Sequence, residues 1–286
     1  MSGAQKVAGF AVLVVVAFAA AIGTGRAVGP IDTDEDVDHA HASAREESHE
    51  ESHDEAEPVG AEQPVLDLDR ARYAAGSQRL SFTVRSAAGT PITTYEVQHE
   101  KLLHLVVVRR DLGGYRHVHP TLDTATGRWS VPLDLDAGSW RVYADFTPTG
   151  GSASVAEADL AVTGEFVPAP PEPDDATANV DGFAVHLTRD GGELRLHVQR
   201  DGADVTDLEP YLGAYGHLVA IRVDDLSYLH VHPQDGPAGP TVAFHTGLEE
   251  PGRYRLFFEF QHGGSVHRAD FGLTVTEEGA SGEHDH

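Results

Sequence analysis

Hydrophobic and polar residues alternate along most of the chain after residue 64, with the period of two that is typical of β-strands. Segments such as LSFTV, LRLHV and WRVYADF follow this pattern, and Gly, Pro, Asp and Ser interrupt them at short intervals. No stretch after residue 30 has a convincing helical period. Short, regularly spaced strands within segments of about 100 residues predict antiparallel β-sandwiches.

Two of these segments, 65–163 and 179–276, repeat each other. HLVVVRRDLGGYRHVHP (104–120) matches HLVAIRVDDLSYLHVHP (217–233). AGSWRVYADF (137–146) likewise matches PGRYRLFFEF (251–260). An offset of 113 to 114 residues is too long for a solenoid and indicates a duplicated domain. The predicted fold class is therefore all-β, with two tandem immunoglobulin-like antiparallel β-sandwiches preceded by one hydrophobic N-terminal segment.

That N-terminal segment, 1–27, contains the apolar run VAGFAVLVVVAFAAAIG (7–23) between Lys6 and Arg26. The run is slightly shorter than the ~20 residues that comfortably cross a bilayer, and small residues crowd its end. Both a cleaved signal peptide and a retained transmembrane anchor remain open. Either one predicts an extracytoplasmic protein, secreted or membrane-anchored, with Lys6 on the cytoplasmic side.

Three further segments lack the pattern of a packed domain. Residues 28–64 are acidic and histidine-rich with few large apolar side chains, which predicts a disordered stalk. Residues 164–178, GEFVPAPPEPDDATA, are typical of a semi-rigid linker. Residues 277–286 are predicted to be a disordered tail.

Composition narrows the possible partners and chemistry. The formal net charge of −26 disfavours nucleic acid and anionic lipid as ligands. The chain has no cysteine, which excludes disulfides, thiolate metal sites and iron–sulfur clusters, and its one methionine is Met1. A thioether site for Cu(I) is therefore excluded as well. Any metal must bind to imidazole, carboxylate or backbone oxygen.

Histidines recur in a fixed arrangement, because the phrase HVHP occurs in YRHVHP (115–120) and again in YLHVHP (228–233). Side chains two residues apart on a strand point to the same face, so each phrase presents a histidine pair. In each copy the preceding apolar strand begins with another histidine. The six candidate metal ligands are His104, His117, His119, His217, His230 and His232.

Hairpin register decides whether three imidazoles converge in each copy. Two-residue loops at 111–112 and 224–225 would place the first histidine of each copy directly opposite the last. The opposed pairs would be His104 with His119 and His217 with His232. Opposed residues have Cβ atoms about 4.5–5.5 Å apart, whereas a slip of one residue would send one partner to the other face.

Three imidazoles suit Cu(II), Zn(II) or Ni(II), and copper(II) heads the affinity order. Asp145 and Glu259 occupy matching places on a later strand, and each is a candidate to complete the shell of its own copy. The alternative is that each histidine pair is a polar strand end carried along by duplication. Eleven further histidines are interpreted as strand, hairpin, stalk or tail residues: His186, His197, His245, His262, His267, His39, His41, His49, His53, His284 and His286.

The strings HLVVVRRDLGGYRHVHP and AGSWRVYADF resemble a group of largely actinobacterial secreted or membrane-anchored proteins related to the YtkA-like domain. They are similar, more loosely, to copper-resistance sandwich proteins of the CopC type. The resemblance covers most of residues 65–276 and implies copper handling through the six histidines. CopC-type sites use a mature N-terminal histidine, and no plausible cleavage point leaves one here.

These observations predict an extracytoplasmic, non-catalytic module that binds copper(II) or zinc(II) for buffering, sensing or delivery. The alternative is a structural or partner-docking envelope protein whose histidines are not ligands. An enzyme is not predicted, because the chain has no nucleophile elbow, phosphate loop or HExxH motif. The predicted partners are a divalent metal ion, another envelope protein under the docking alternative, and the membrane if the leader is retained; nucleic acid is not expected.

Overall fold

A computed structural model of the chain describes residues 63–170, 173–190, 192–234, 236–246, 248 and 250–276. The described residues belong to one compact unit, Glu57–His286, and none of them lies in a helix. Accordingly, no described segment forms an apolar helix of membrane-spanning length. The predictions for the N-terminal segment, for all but the last two residues of the stalk and for the tail fall outside the described residues.

The first repeat is built from two sheets that face each other. Its strands are β1 (Val65–Leu68), β2 (Arg72–Ala74), β3 (Gly76–Arg85), β4 (His104–Arg109), β5 (Arg116–Val118), β6 (Thr121–Asp123), β7 (Arg128–Leu135), β8 (Gly138–Phe146) and β9 (Ser154–Thr163). One sheet has the order β1-β3-β7-β6 and the other the order β2-β9-β8-β4-β5. All neighbours are antiparallel except β2 and β9.

The second repeat has the same plan with its sheets joined at one edge. Its strands are β10 (Thr177–Val180), β11 (Phe183–Asp190), β12 (Glu193–Arg200), β13 (Ala203–Asp204), β14 (His217–Arg222), β15 (Tyr228–Pro233), β16 (Thr241–His245), β17 (Gly252–His262) and β18 (Ser265–Val275). The path is β10-β11-β12-β16-β15-β14-β17-β18, and β13 pairs with β12. The predicted fold class, two tandem immunoglobulin-like sandwiches, is confirmed.

The strand that carries HVHP crosses from one sheet to the other in both repeats. In the second repeat β15 pairs with β14 at its start and with β16 at its end, where Pro233 lies opposite Phe244. In the first repeat the strand is interrupted at Pro120: β5 pairs with β4 before it, and β6 pairs with β7 after it. The His-x-His pair therefore lies where the chain leaves one sheet for the other.

Each sandwich has its own hydrophobic core. Trp129, Trp140 and Phe82 fill the first, and Phe244, Phe258 and Phe260 fill the second; all six side chains are buried. These residues come from the inward positions of alternating strands, as the period of two predicts.

A third core lies between the repeats, because β4 and β14 are apolar on both faces. In β4, Leu105 and Val107 face the core of their own sandwich, while Val106 and Val108 face the second repeat. A strand covered on both faces has a continuous apolar run in place of alternation. The third core consists of Val106, Val108, Leu112, Tyr115, Tyr143, Val219, Ile221, Leu226 and Phe257.

Contacts in this third core are reciprocal. Tyr115 of the first repeat stacks on Phe257 of the second, with ring centroids 4.0 Å apart. The equivalent Tyr228 of the second repeat stacks on Tyr143 of the first, at 4.9 Å. Such reciprocity is the mark of a two-fold relationship between like surfaces. The duplicated domains thus dock through the same face.

The start of the predicted semi-rigid linker is bound to the first repeat. Arg109 donates a hydrogen bond from Nη1 to the Val167 carbonyl at 3.1 Å, and its guanidinium lies over the Phe166 ring. The Ala169 N–H donates to Asp111 Oδ2 at 2.8 Å. The buried Arg109–Asp111 pair supplies partners that proline-rich backbone cannot supply for itself.

Candidate metal centre

The β4–β5 pairing has the register that the histidine hypothesis requires. Leu105 lies opposite Val118 and Val106 opposite His117, which brings His119 across from His104 at the strand ends. In the second repeat Leu218 lies opposite Val231, which is the same relation. His104, His117 and His119 therefore share the face that is turned toward the second repeat.

The predicted two-residue loops are wrong, although the register survives. The Arg109 N–H bonds to Gly113 O around a three-residue loop, and Arg222 N–H bonds to Ser227 O around a four-residue loop. Each loop holds a leucine in the left-handed region, Leu112 at φ 60° and Leu226 at φ 63°. This conformation is uncommon for leucine. Burial of both side chains in the third core explains why the longer loops are kept.

The three first-copy histidines point one nitrogen each at a common centre. His104 Nδ1 lies 3.1 Å from His117 Nε2 and 3.2 Å from His119 Nε2. All three nitrogens lie within 4.8 Å of one another, and no other group of this kind occurs among the described residues. His104 is 3 % exposed and the His117 side chain 4 %.

The outer nitrogen of His104 is held by a backbone carbonyl. The Gln98–Lys101 turn has His99 and Glu100 at positive φ and directs the Gln98 carbonyl at the ring. His104 Nε2 lies 3.0 Å from Gln98 O. A carbonyl can only accept a hydrogen bond, so the Nε2 of His104 carries the proton. In the neutral ring Nδ1 therefore carries the free lone pair.

The outer nitrogen of His117 is held by a carboxylate from the other repeat. Glu259 Oε2, on β17, lies 2.7 Å from His117 Nδ1, and the Glu259 side chain is 11 % exposed. The Nδ1–H therefore donates to the carboxylate, and the Nε2 of a neutral His117 faces the centre as a lone pair. The expectation that Glu259 completes the shell of its own copy missed this connection, since it acts across the interface.

Asp145, the counterpart of Glu259, also reaches across. It lies opposite His104 in the β4–β8 ladder, and it accepts a long hydrogen bond of 3.3 Å from the Tyr228 hydroxyl. Burial raises the pKa of Tyr228 well above its usual value, and the neighbouring Asp145 carboxylate raises it further. The phenol is therefore a proton donor over the whole physiological range.

His217 lies beside the first-copy triad. Its Nε2–H donates to Tyr211 O at 2.7 Å, the same arrangement as His104 with Gln98. Its ring centroid is 5.4 Å from that of His99 and 6.4 Å from that of His117. The backbone of His230 lies opposite Val219 and that of His232 opposite His245, while their side chains lie outside the described part of the structure. The structure thus adds His99 and His217 to the surroundings of the first triad.

Burial keeps two of these imidazoles, His119 and His217, neutral. It lowers the pKa of His119 to about 3, and the nearby His117, His104 and Lys101 act in the same direction. Burial likewise lowers the pKa of His217 to about 3, against the opposing effect of its hydrogen bond to Tyr211. Neutral imidazole is the form that binds metal, so His119 is ready to bind at physiological pH.

Four other described histidines have separate partners. His197 contacts Thr241 and Asp204, and His186 contacts Thr177 and Gln199. His262 and His267 pair with aspartates near the hairpin tip between β17 and β18. None of these four joins the triad.

Similarity searches returned distant sandwich proteins. Murine CEACAM1b is 9% identical over 75% of this chain and 99% of its own, with a TM-score of 0.20. Extracellular domains 3–5 of Drosophila OTK are 12% identical over 76% and 99%, with a TM-score of 0.20. Chicken CNTN1 FN1–FN3 domains are 12% identical over 74% and 68%, with a TM-score of 0.22. These similarities carry no information about function.

No curated protein matches the sequence. A family described as a domain of unknown function, DUF8832, matches residues 60–164 and again residues 174–277. The two matched segments contain the two sandwiches, and each includes one copy of the HVHP phrase. The chain therefore belongs to the DUF8832 family and carries its domain twice.

Proposed function

We propose that this chain is an extracytoplasmic, non-catalytic metal-binding module. In this proposal His104, His117 and His119 hold one divalent ion, copper(II) or zinc(II), for buffering, sensing or delivery. Copper(II) heads the affinity order for imidazole ligands, and the resemblance to YtkA-like and CopC-type proteins points the same way. The apolar run 7–23 exports the chain and either is cleaved or anchors it in the membrane.

One observation carries the proposal. The outer nitrogens of His104 and His117 are tied to Gln98 O and to Glu259, so their lone pairs face each other across 3.1 Å. Two lone pairs at that distance repel unless a cation lies between them. Two nitrogen ligands at about 2.0–2.1 Å from a tetrahedral zinc ion are separated by about 3.3 Å. The observed separations of 3.1 and 3.2 Å fit such an ion.

A shared proton is the competing explanation. A protonated triad would satisfy the same nitrogens by hydrogen bonds, and the chain would then be the partner-docking protein of the alternative hypothesis. The two explanations differ in what happens when metal is added. A metal centre binds a divalent ion tightly, whereas a hydrogen-bonded triad does not.

The test uses a reference chain, defined as the full chain with the stalk and tail histidines replaced by alanine. The replaced residues are His39, His41, His49, His53, His284 and His286. Copper(II) and zinc(II) are titrated by calorimetry in competition with a chelator, in two buffers of different ionisation enthalpy so that heat from proton exchange is subtracted. We expect tight binding by the reference chain and its loss in His119→Ala.

His197→Ala is the matched control, because it removes a histidine that has polar partners of its own outside the triad. We expect its affinity to equal that of the reference chain. His232→Ala asks whether the second copy holds a further ion, through the change in stoichiometry. Equal affinity in the reference chain and in His119→Ala would show that the triad is structural.

A further inference from the structure

We infer that Glu259 of the second repeat is a positioning residue for the metal centre of the first repeat. The centre is then a property of the docked pair, and ion binding strengthens the contact between the two sandwiches. This inference rests on the proposed function and goes beyond it, since it states what controls the site.

The contact itself has the geometry of a built interaction. Glu259 Oε2 lies 2.7 Å from His117 Nδ1, within the range of a charge-assisted hydrogen bond. The Glu259 side chain is 11 % exposed and the His117 side chain 4 %. A carboxylate is costly to bury without a partner, so Glu259 and His117 are held together. The two residues are 142 positions apart and belong to different sandwiches.

The second repeat also holds the strand that carries His117. Arg268 lies opposite Glu259 on β18 and donates a hydrogen bond from Nη1 to the Tyr115 carbonyl at 3.0 Å. Its guanidinium lies over the Tyr115 ring, at 5.3 Å from the centroid. The same ring stacks on Phe257. Three residues of the second repeat thus fix the segment from Tyr115 to His117.

Carboxylate, imidazole and ion form a familiar sequence of interactions. A carboxylate that accepts the outer N–H of a ligating imidazole fixes the tautomer and ring orientation and raises the basicity of the inner nitrogen. Loss of such a partner typically weakens metal binding about 10- to 100-fold. Because the carboxylate belongs to the other repeat, the free energy by which it strengthens ion binding equals the free energy by which the ion strengthens docking.

The experiment compares Glu259→Gln and Glu259→Leu in the reference chain that also carries His232→Ala, so that only the first-copy site is counted. Glutamine keeps the shape and loses the charge, whereas leucine removes the acceptor. We expect zinc affinity to fall about tenfold and about 100-fold, respectively. Glu157→Gln is the control, since Glu157 lies on the first repeat and pairs with Arg141 away from the triad; its affinity should stay within about twofold.

A second readout needs no metal. Long-range ¹H–¹⁵N spectra of the metal-free chain report which ring nitrogen of His117 carries the proton. We expect the Nδ1–H tautomer in the parent chain and its loss in Glu259→Leu. If the leucine variant fails to fold, Glu259→Asp replaces it. This variant keeps the carboxylate but shortens the side chain by one methylene, and it should also lower the zinc affinity.

The outcomes separate the two proposals. If the parent chain binds no metal, the proposed function fails. If the parent binds and His119→Ala does not, but every Glu259 variant binds like the parent and keeps the His117 tautomer, only the present inference fails. Weakened binding together with a changed tautomer supports it.

Discussion

The two copies of the HVHP strand start from nearly the same letters and meet different partners. In the first copy His117 is bound by Glu259 at 2.7 Å. In the second, the residue equivalent to Glu259, Asp145, accepts a hydrogen bond from Tyr228 at 3.3 Å. Glu259 and Asp145 thus each contact a residue of the other repeat, an imidazole in one case and a phenol in the other. Duplication made the faces alike, and each face presents a carboxylate that contacts the HVHP strand of the other repeat.

The turn before each apolar strand shows the same divergence. His99 and Leu212 occupy equivalent places with positive φ, 46° and 54°. The backbone carbonyl just before each of them, in Gln98 or Tyr211, accepts from the first histidine of its strand. Leu212 is buried as an ordinary apolar residue, whereas the His99 ring lies between those of His104 and His217. The two turns share a backbone conformation, but one carries a histidine side chain and the other a leucine side chain.

Disruption of the face through which the two repeats dock should have the largest effect on stability and on metal binding. Val219→Asp buries a carboxylate without a partner in the third core, where Val219 is 5 % exposed. We expect a loss of several kcal/mol in the free energy of unfolding and a weakened first-copy metal site. Urea denaturation and zinc titration measure both. Val223→Asp, at an exposed position nearby, is the control, and equal effects of the two variants would contradict a docked interface.

Acid should destabilise both copies through their buried histidines. The folded pKa of His217 is about 3 while that of the unfolded residue is about 6.5, so the unfolded chain binds more protons between these values. The stability is therefore full above pH 6.5 and is lost as the pH falls toward 3. For His217 alone we expect a loss on the order of 2 kcal/mol between pH 7 and pH 5.

The variants His217→Gln and His119→Gln place this effect in one copy or the other, because glutamine does not titrate. Each should give a flatter dependence of the urea midpoint on pH than the parent chain. The two variants should flatten it by similar amounts, because burial lowers the pKa of both histidines to about 3. A slope unchanged by both substitutions would assign the acid sensitivity to other groups.

Removal of a single hydroxyl from each copy should give the smallest effects, of unequal size. The Tyr115 hydroxyl is buried without a hydrogen-bond partner among the described residues, whereas the Tyr228 hydroxyl donates to Asp145. Tyr115→Phe should leave the free energy of unfolding unchanged or raise it slightly. Tyr228→Phe should lower it by about 1 kcal/mol, since Asp145 loses a donor. Thermal unfolding of both variants checks this order, and a larger loss in Tyr115→Phe would reverse it.

Local pattern was enough to predict the fold and the register of the histidines. Period-two alternation identifies which residues share a face, and the opposition of His104 and His119 follows from pairing in one hairpin. The predicted loop lengths were wrong because nothing in RRDLGG or RVDDLS indicates that the leucine side chain of each loop is buried in a core between the repeats. The hairpins adjusted around Leu112 and Leu226 while the pairing stayed the same.

The docking of the two faces could not be predicted from alternation, which does not say what covers a face. One signal was present: LVVV and LVAI are continuous apolar runs, the pattern of a strand buried on both sides. The contact between His117 and Glu259 joins residues 142 positions apart and depends on how two finished domains meet. Matching letters in two copies predict one site in each, and they do not indicate that docking brings His217 beside the first triad.

The reciprocal face has a consequence for how the chain is made. The first repeat leaves the ribosome before the second, with Val106, Val108 and Tyr143 uncovered until their partner arrives. A surface that recognises its own duplicate also fits another nascent copy of itself, so the early competitor is a face-to-face dimer of first repeats. A chain that stops at residue 170 should accumulate in that dimeric state. The delay between the synthesis of the two halves is therefore the period in which assembly is most open to error.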